Sequence, residues 1–322
     1  MNRIIIFVCI TSLFWLGCDD PSLNEPKRPN VVFLLADDMG YGDFEKIGGS
    51  TKTPNLNRLA DEGVFFDNFY AAGPNCSPSR TGLMTGKSPA KVGMYSYRPP
   101  QHPLHLPDQE VTLAELLKTK GYQTAHIGKW HLGALGKKLL FDHPQPQDHG
   151  FDYSLGTENN ADPSHLNPIN FVRNGKALGL VEGDSFQIVA QECMEWLDQK
   201  SDDPFFLYVA FHEPHAKVAS PPELVEKYSG QPLEDAKYLA NIDHLDIAIG
   251  RLLDYLDHND LMDNTIIMFS SDNGSYRLAS NAGLKAVKSY LYDGGIRVPG
   301  IVRWPGIKTT KKVIDTPAGL VD

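Results

Sequence analysis

Residues 28–43, "RPNVVFLLADDMGYGD", run through six apolar residues from Val31 to Ala36 and stop abruptly at Asp37 and Asp38. A short, β-rich run with no alternating polar face predicts a strand covered on both sides, the situation of a parallel sheet. Three further stretches repeat the pattern. "GYQTAHIGKWHLG" (121–133) runs into Lys129 and His131, "PFFLYVAFHEPH" (204–215) into His212 and His215, and "NTIIMFSSDNGS" (264–275) into Asp272 and Asn273.

Helical patterns alternate with these runs. "TPNLNRLADEGV" (53–64) offers Thr53 as cap, Pro54 at the first helical position and Gly63 as the stop. "TLAELLKTKGY" (112–122) carries the capping-box pair Thr112 and Glu115 and ends at Gly121. "DSFQIVAQECMEWLDQ" (184–199) and "AKYLANIDHLDIAIGRLLDYLDHND" (236–260) are amphipathic at helical spacing. Strand–helix alternation predicts an α/β fold with a mostly parallel central sheet flanked by helices. In such sheets ligands bind beyond the carboxyl ends of the strands, where all four polar clusters fall. The Pro-, Asn- and Gly-rich segment from Phe141 to Gly183 reads as a long excursion over the sheet.

Composition narrows the possibilities. The 322 residues are 41% hydrophobic and 22% charged, with a formal net charge of -10 and no Lys/Arg-rich block, so nucleic acid is not the expected partner. The N-terminus places Arg3 before an apolar stretch from Ile4 to Leu16 and then Gly17-Cys18. That stretch is shorter than the roughly 20 residues a membrane span needs, and it reads as an export signal over 1–18. With Cys18 as the lipid-bearing residue it would be of lipoprotein type, and otherwise a plain secretory signal. A polar linker, 19–28, leads into a catalytic domain over 29–322. Two of the four cysteines belong to the signal, leaving Cys76 and Cys193. Two cysteines in an exported chain can pair, but Cys193 lies on the apolar side of a helix pattern, where burial is its expected role.

Asp37, Asp38, Asp272 and Asn273 together offer three carboxylates and an amide oxygen, a hard-oxygen set suited to Ca²⁺ or Mg²⁺. Singly, Arg80, Lys129 and Lys288 would be ordinary surface charges, and His131, His212 and His215 ordinary histidines. Lys129 and His131, two residues apart, would face one side of an extended stretch. Arg80 would begin a helix after Pro78, where a helix N-terminus favours anions. A metal with several cations at one rim suits a tetrahedral oxyanion ester.

"CSPSR" (76–80) with the following "TGLMTGK" is similar to the signature of the sulfatase family, within the alkaline-phosphatase-like superfamily. "RPNVVFLLADDMGYGD", "GYQTAHIGKWHLG", "SDNG" (271–274) and "YDGGIRVPGIVRWPG" (292–306) resemble its other blocks, in the family's order. The resemblance implies that Cys76 is oxidised by a maturation enzyme to formylglycine. It also implies one bound ion, Ca²⁺ before Mg²⁺, held by Asp37, Asp38, Asp272, Asn273 and the modified residue 76. Arg80 would stabilise the formylglycine hydrate, Lys129 and Lys288 would grip the sulfate oxygens, and His131 would act on the hydrate's proton. His215, with His212 as the alternative, would be acid to the leaving alcohol. One hydroxyl of the hydrate would attack sulfur, and collapse of the other to the aldehyde would release sulfate.

Two positions depart from the family pattern: Lys87 where Arg is commoner, and Lys217 where Pro often follows the histidine. The implied function is hydrolysis of sulfate esters, on sulfated carbohydrates, by an exported enzyme, either a periplasmic or cell-surface lipoprotein or a secreted protein. The membrane would be touched only through a lipid anchor. A phosphodiesterase or phosphonate monoester hydrolase of the same superfamily is the rival, and an inactive glycan-binding surface lipoprotein a second. Family members continue past a stretch like "KKVIDTPAGLVD" into a smaller C-terminal domain, which is expected to be missing here, leaving a sheet edge and an apolar face uncovered. No strands for such a domain are read after Trp304.

Overall fold

The computed structural model describes residues 28–136, 142–307 and 309–322. The segment expected to be an export signal, with Cys9 and Cys18, and the expected linker up to residue 27 lie outside the described residues. The first half of the chain forms β1 (Asn30–Ala36), α1 (Pro54–Glu62), β2 (Val64–Phe66), β3 (Phe69–Tyr70), α2 (Cys76–Thr85), α3 (Pro89–Val92), α4 (Leu113–Lys118), β4 (Gln123–Lys129) and β5 (Tyr153–Thr157). It continues with β6 (Phe171–Arg173), β7 (Lys176–Gly179), α5 (Ser185–Gln199), β8 (Phe205–Ala210), α6 (Pro222–Glu226) and α7 (Leu233–His258). The last elements are β9 (Thr265–Ser271), α8 (Asp293–Ile296), β10 (Gly300–Arg303), β11 (Val313–Ile314) and β12 (Ala318–Gly319).

Ten strands form one sheet in the order β11-β2-β10-β9-β1-β8-β4-β5-β6-β7. The consecutive neighbours β9, β1, β8, β4 and β5 run parallel, and β10 is antiparallel to β9. The four apolar runs are therefore side by side in the middle of the sheet. Their side chains alternate between two cores, as strand geometry requires. Val32, Leu34, Ile127, Leu207 and Phe269 pack under α1, α5 and α7, whereas Phe33, Leu35, Phe206, Tyr208 and Ala210 pack under α2 and α4. Helices on both faces account for the absence of a polar side in the sequence pattern.

The excursion expected from 141 to 183 is partly wrong. It contributes β5, β6 and β7, which extend the sheet beyond β4. These strands are short, and β7 is largely exposed, so no apolar run announces them. Two two-residue strands also follow Trp304, but they join strands already present, β11 beside β2 and β12 beside β3. An apolar cleft of about 490 Å³ lies there, lined by Phe66, Phe69, Leu83, Met268, Ile301 and Leu320 among others.

Helix α4 starts as expected: Thr112 Oγ1 accepts from the Glu115 amide at 3.2 Å, and Glu115 Oε2 accepts from the Thr112 amide at 2.8 Å. Helix α1 does not. Thr53 makes no side-chain cap, its hydroxyl accepting instead from the Glu45 amide. The cap comes from α7, where Asp246 accepts from the amides of Asn55 and Leu56 at 3.0 and 2.8 Å and from Asn55 Nδ2 at 2.9 Å. Asp246→Ala should therefore cost about 2 kcal/mol, because buried helix amides lose their only side-chain acceptor. Asp246→Asn, which keeps an acceptor, should cost less. Urea unfolding checks this, and an Asp246→Ala loss below about 0.5 kcal/mol would exclude the cap.

Candidate active site

Asp37 and Asp38 leave the end of β1, and Asp272 and Asn273 leave the end of β9, its hydrogen-bonded neighbour. All four are buried. Asp38 sits in the left-handed region with φ 68°, held there by its amide donating to Asp272 Oδ1 at 3.2 Å. Such a conformation costs a non-glycine residue energy and persists where surrounding bonds enforce it. At Gly274 the chain passes so close to the "DGG" turn that a Cβ would lie 2.1 Å from the Gly294 carbonyl oxygen. Only glycine lets "SDNG" and "YDGG" meet.

Cys76 is the first residue of α2, and Pro78 lies within its first turn, where a missing amide hydrogen breaks no helical bond. This corrects the expectation for Arg80, which stands a full turn inside the helix rather than at its start. The Cys76 sulfur lies 3.5 Å from Asp37 Oδ1, 3.8 Å from Asp38 Oδ1 and 3.4 Å from Lys288 Nζ. Burial, with Asp272 nearby, pushes the thiol well above its ordinary pKa. Cys76 and Cys193 are both free and buried, so they form no disulfide.

Three cations meet the three carboxylates. Arg80, fully buried, places Nε 2.9 Å and Nη2 2.8 Å from Asp272 Oδ2, and donates through Nη1 to the Lys129 carbonyl at 2.9 Å. Lys129 Nζ is 2.6 Å from Asp37 Oδ2, and Lys288 Nζ is 2.7 Å from both oxygens of Asp38. Burial alone would raise the pKa of Asp37, yet Lys129, His215 and Arg80 together hold it well below the usual carboxylate range. For Asp272 the balance tips the other way: burial outweighs Arg80 and lifts it to about 6.

Lys129 ends β4, next to Gly128, where φ is +114° and a Cβ would lie 1.8 Å from the Ala210 carbonyl oxygen, so only glycine fits. The extended geometry expected to align Lys129 with His131 stops there. His131 adopts φ 58°, and its burial in the site comes from a turn and not from strand alternation. Burial and Lys129 keep its ring neutral, far below the ordinary histidine pKa. His215 Nε2 lies 3.5 Å from Asp38 Oδ2 with its side chain 26% exposed. His212 is buried, and its Nε2 lies 2.8 Å from Thr157 Oγ1. Of the two candidate histidines, His215 is the one open to a substrate.

The ligand atoms of Asp37, Asp38, Cys76 and Asp272 lie within 4.8 Å of one another. Asn273 Oδ1, beside them, is buried without a hydrogen-bond partner, while its Nδ2 donates to Asp38 Oδ1 at 2.7 Å. An orphaned buried acceptor is costly, and a cation would satisfy it. The donor set fits a hard divalent ion. Asp38, Cys76 and His215 form a second possible grouping, an imidazole approach that the spacing did not suggest.

The family model for Sulfatase matches residues 29–322. The chain belongs to the sulfatase family. This sulfatase-family chain is 35% identical over 335 residues to N-acetylgalactosamine-6-sulfatase of Homo sapiens, covering 92% of this chain and 61% of that protein. It is 33% identical to Arylsulfatase A of Homo sapiens, covering 87% and 60%. The chain thus spans about three fifths of these relatives. The structure of Ps i-CgsB in complex with k-i-k-neocarrahexaose superposes with a TM-score of 0.82 at 29% identity, covering 92% of this chain and 70% of that one. Phosphonate monoester hydrolase of Agrobacterium radiobacter, at 20% identity and a TM-score of 0.64, shares the fold.

Some residues of this sulfatase-family site escaped sequence reasoning. Glu213 accepts from Ser185 Oγ and from the His212 amide, and burial lifts its carboxyl to about 7. Arg98 and Glu158 form a buried ion pair at 2.7 Å beside His131. Glu158 directly follows β5, the same strand-end position as Asp37 and Asp272, and would have been found had β5 been recognised.

Proposed function

We propose that this chain carries the catalytic core of an exported enzyme that hydrolyses sulfate esters of carbohydrates. The reading is carried by the grouping of Asp37, Asp38, Cys76 and Asp272 within 4.8 Å, beside the unpartnered Asn273 oxygen. In the structure residue 76 is cysteine, and its sulfur stands in for the oxygens of formylglycine. A thiol whose pKa is raised by burial is a poor nucleophile, which supports conversion of Cys76 by a maturation enzyme. Asp37, Asp38, Asp272, Asn273 and residue 76 would hold Ca²⁺. Formylglycine supplies paired hydroxyls on one carbon, and the ion lowers a hydroxyl pKa and screens charge.

The chain's own side chains do the rest. Three carboxylates balance three cations, so a divalent ion leaves the site positive and selective for an anionic ester. Lys129 is linked to Cys76 through Asp37, and Lys288 touches both Asp38 and the Cys76 sulfur, so both ammonium groups are available to grip ester oxygens. Arg80, immobilised by Asp272 and the Lys129 carbonyl, holds residue 76 in a fixed field. Neutral His131 is suited to take a proton from residue 76, and the partly exposed His215 to give one to the leaving alcohol.

The names of the relatives support a sugar sulfate as substrate, and the N-terminal stretch read as an export signal supports an extracytoplasmic site. No described helix is long and apolar enough to cross a membrane. The test is a kcat/KM comparison on matched aryl sulfate, phosphate monoester and phosphodiester substrates, with Ca²⁺ and after chelation. A sulfate preference of at least about 10²-fold that collapses on chelation is expected. A preferred phosphodiester would transfer the chain to the rival hydrolase class, and no turnover of any ester by fully modified protein would favour the glycan-binding reading.

A further inference from the structure

We propose that the buried Arg98–Glu158 ion pair is a positioning device for His131, clamping the ring so that Nε2 carries the proton and Nδ1 presents its lone pair to the site. His131 is held at two points. Its Nε2 lies 2.7 Å from the Arg98 carbonyl oxygen, and its amide donates to the Glu158 carbonyl at 3.0 Å. A carbonyl can only accept, so Nε2 must be the protonated nitrogen. His131 Nδ1 is left buried without a hydrogen-bond partner. The two carbonyls that grip the histidine thus belong to the two partners of one ion pair.

The pair fixes those carbonyls relative to each other. Arg98 Nη1 is 2.7 Å from Glu158 Oε1, Nε donates to the Leu104 carbonyl at 2.6 Å and Nη2 to the His102 carbonyl at 2.9 Å. Glu158 Oε1 also accepts from the Gln101 amide at 2.8 Å. The Arg98 amide donates to Ser77 Oγ at 2.9 Å, tying the same loop to the residue after Cys76. Residue 76, the loop and His131 therefore share one rigid frame, although Arg98 and Glu158 lie 60 residues apart. A buried ion pair contributes little stability over an apolar replacement, so stability alone does not account for it. A frame that sets a ring tautomer and orientation does.

The inference rests on the proton-accepting role given to His131 above, and its test separates the two. Long-range proton–nitrogen NMR on the full chain labelled with ¹⁵N-histidine reads which ring nitrogen carries the proton, with His131→Gln assigning the signal. The unsubstituted protein should show the proton on Nε2. Arg98→Lys, which keeps the charge but loses the fork to Leu104 and His102, should mix the tautomers and lower kcat about a hundredfold with KM within about threefold. Glu158→Gln, which keeps an acceptor for both Arg98 and Gln101, should stay within about fivefold. Glu158→Ala, which removes the acceptor of both Arg98 and Gln101, should also lower kcat, and Arg98→Lys/Glu158→Ala should be no worse than the more damaging of its two single changes, as expected of one unit. A proton on Nδ1 in the unsubstituted protein overturns the proposal whatever the variants do. So does an Arg98→Lys protein with tautomer and kcat unchanged, or a double variant whose losses multiply. Absence of sulfatase turnover with the proton on Nε2 would instead overturn the functional reading and leave the clamp supported.

Discussion

Cys76→Ala is expected to abolish turnover, with kcat/KM falling at least about 10⁴-fold, while the protein stays folded. The substitution removes a single buried atom, which costs about 1 kcal/mol by lost packing. That atom, however, is the point on which Asp37, Asp38 and Lys288 converge, at 3.5, 3.8 and 3.4 Å. Among the described residues no second thiol can replace it, since Cys193, also free, is buried in α5 within the core under α1 and α7. The parallel measurement is mass spectrometry of the peptide spanning residue 76 from protein made in a host with the maturation enzyme. It should show the sulfur gone and an aldehyde that reacts with a hydrazine. Active protein carrying only an intact thiol would refute the mechanism.

Arg80→Ala should be the most destabilising change in the site, costing about 3–5 kcal/mol together with about 10³-fold in kcat. Arg80 and its partner Asp272 are both fully buried, and Asp37 lies 3.6 Å from the same guanidinium. Without it two carboxylates lose their compensation. Arg80→Lys should recover part of the stability but not the bond to the Lys129 carbonyl, because an ammonium has no fork. Saturating Ca²⁺, at a hundredfold excess over its Kd, should return about 2.7 kcal/mol by binding only the native state.

The pH dependence of this variant carries a definite sign. Asp272, raised to about 6 by burial against the pull of Arg80, binds its proton more tightly folded than unfolded. Its ionisation therefore weakens the native state above that pH, and the penalty fades as pH falls through 6 toward the unfolded value. Removing Arg80 raises the native pKa further and enlarges the penalty. The stability gap between Arg80→Ala and the native protein should accordingly narrow on acidification from pH 7 to 5 in chelator. A gap that widened would show that Arg80 does not compensate Asp272. Urea unfolding at several pH values measures it.

Much of this site was legible in the chain because strands buried on both faces leave an unmistakable trace. Apolar runs ending in Asp37-Asp38, Lys129, His212 and Asp272-Asn273 mark both the sheet and the rim at once, since a chain leaving a dry sheet meets its first polar surroundings at the strand end. The capping pair Thr112–Glu115 was equally legible, being complete within one helical turn. The sequence also carries its family blocks in order, and with them the positions proposed here for metal, anion and nucleophile. What local pattern could not contain was decided by packing. The order β9-β1-β8-β4 places neighbours that are far apart in the chain, Asp246 caps a helix 190 residues away, and His131 reaches the site through a turn. Arg98 had no signal of its own and Glu158 only that of the unrecognised end of β5, because an ion pair 60 residues apart exists only once two loops are folded against each other. Periodicity records which face of an element is dry, a short-range property of the chain. Partners across the fold are chosen by burial, where each charge and amide must find whatever the tertiary structure brings within reach.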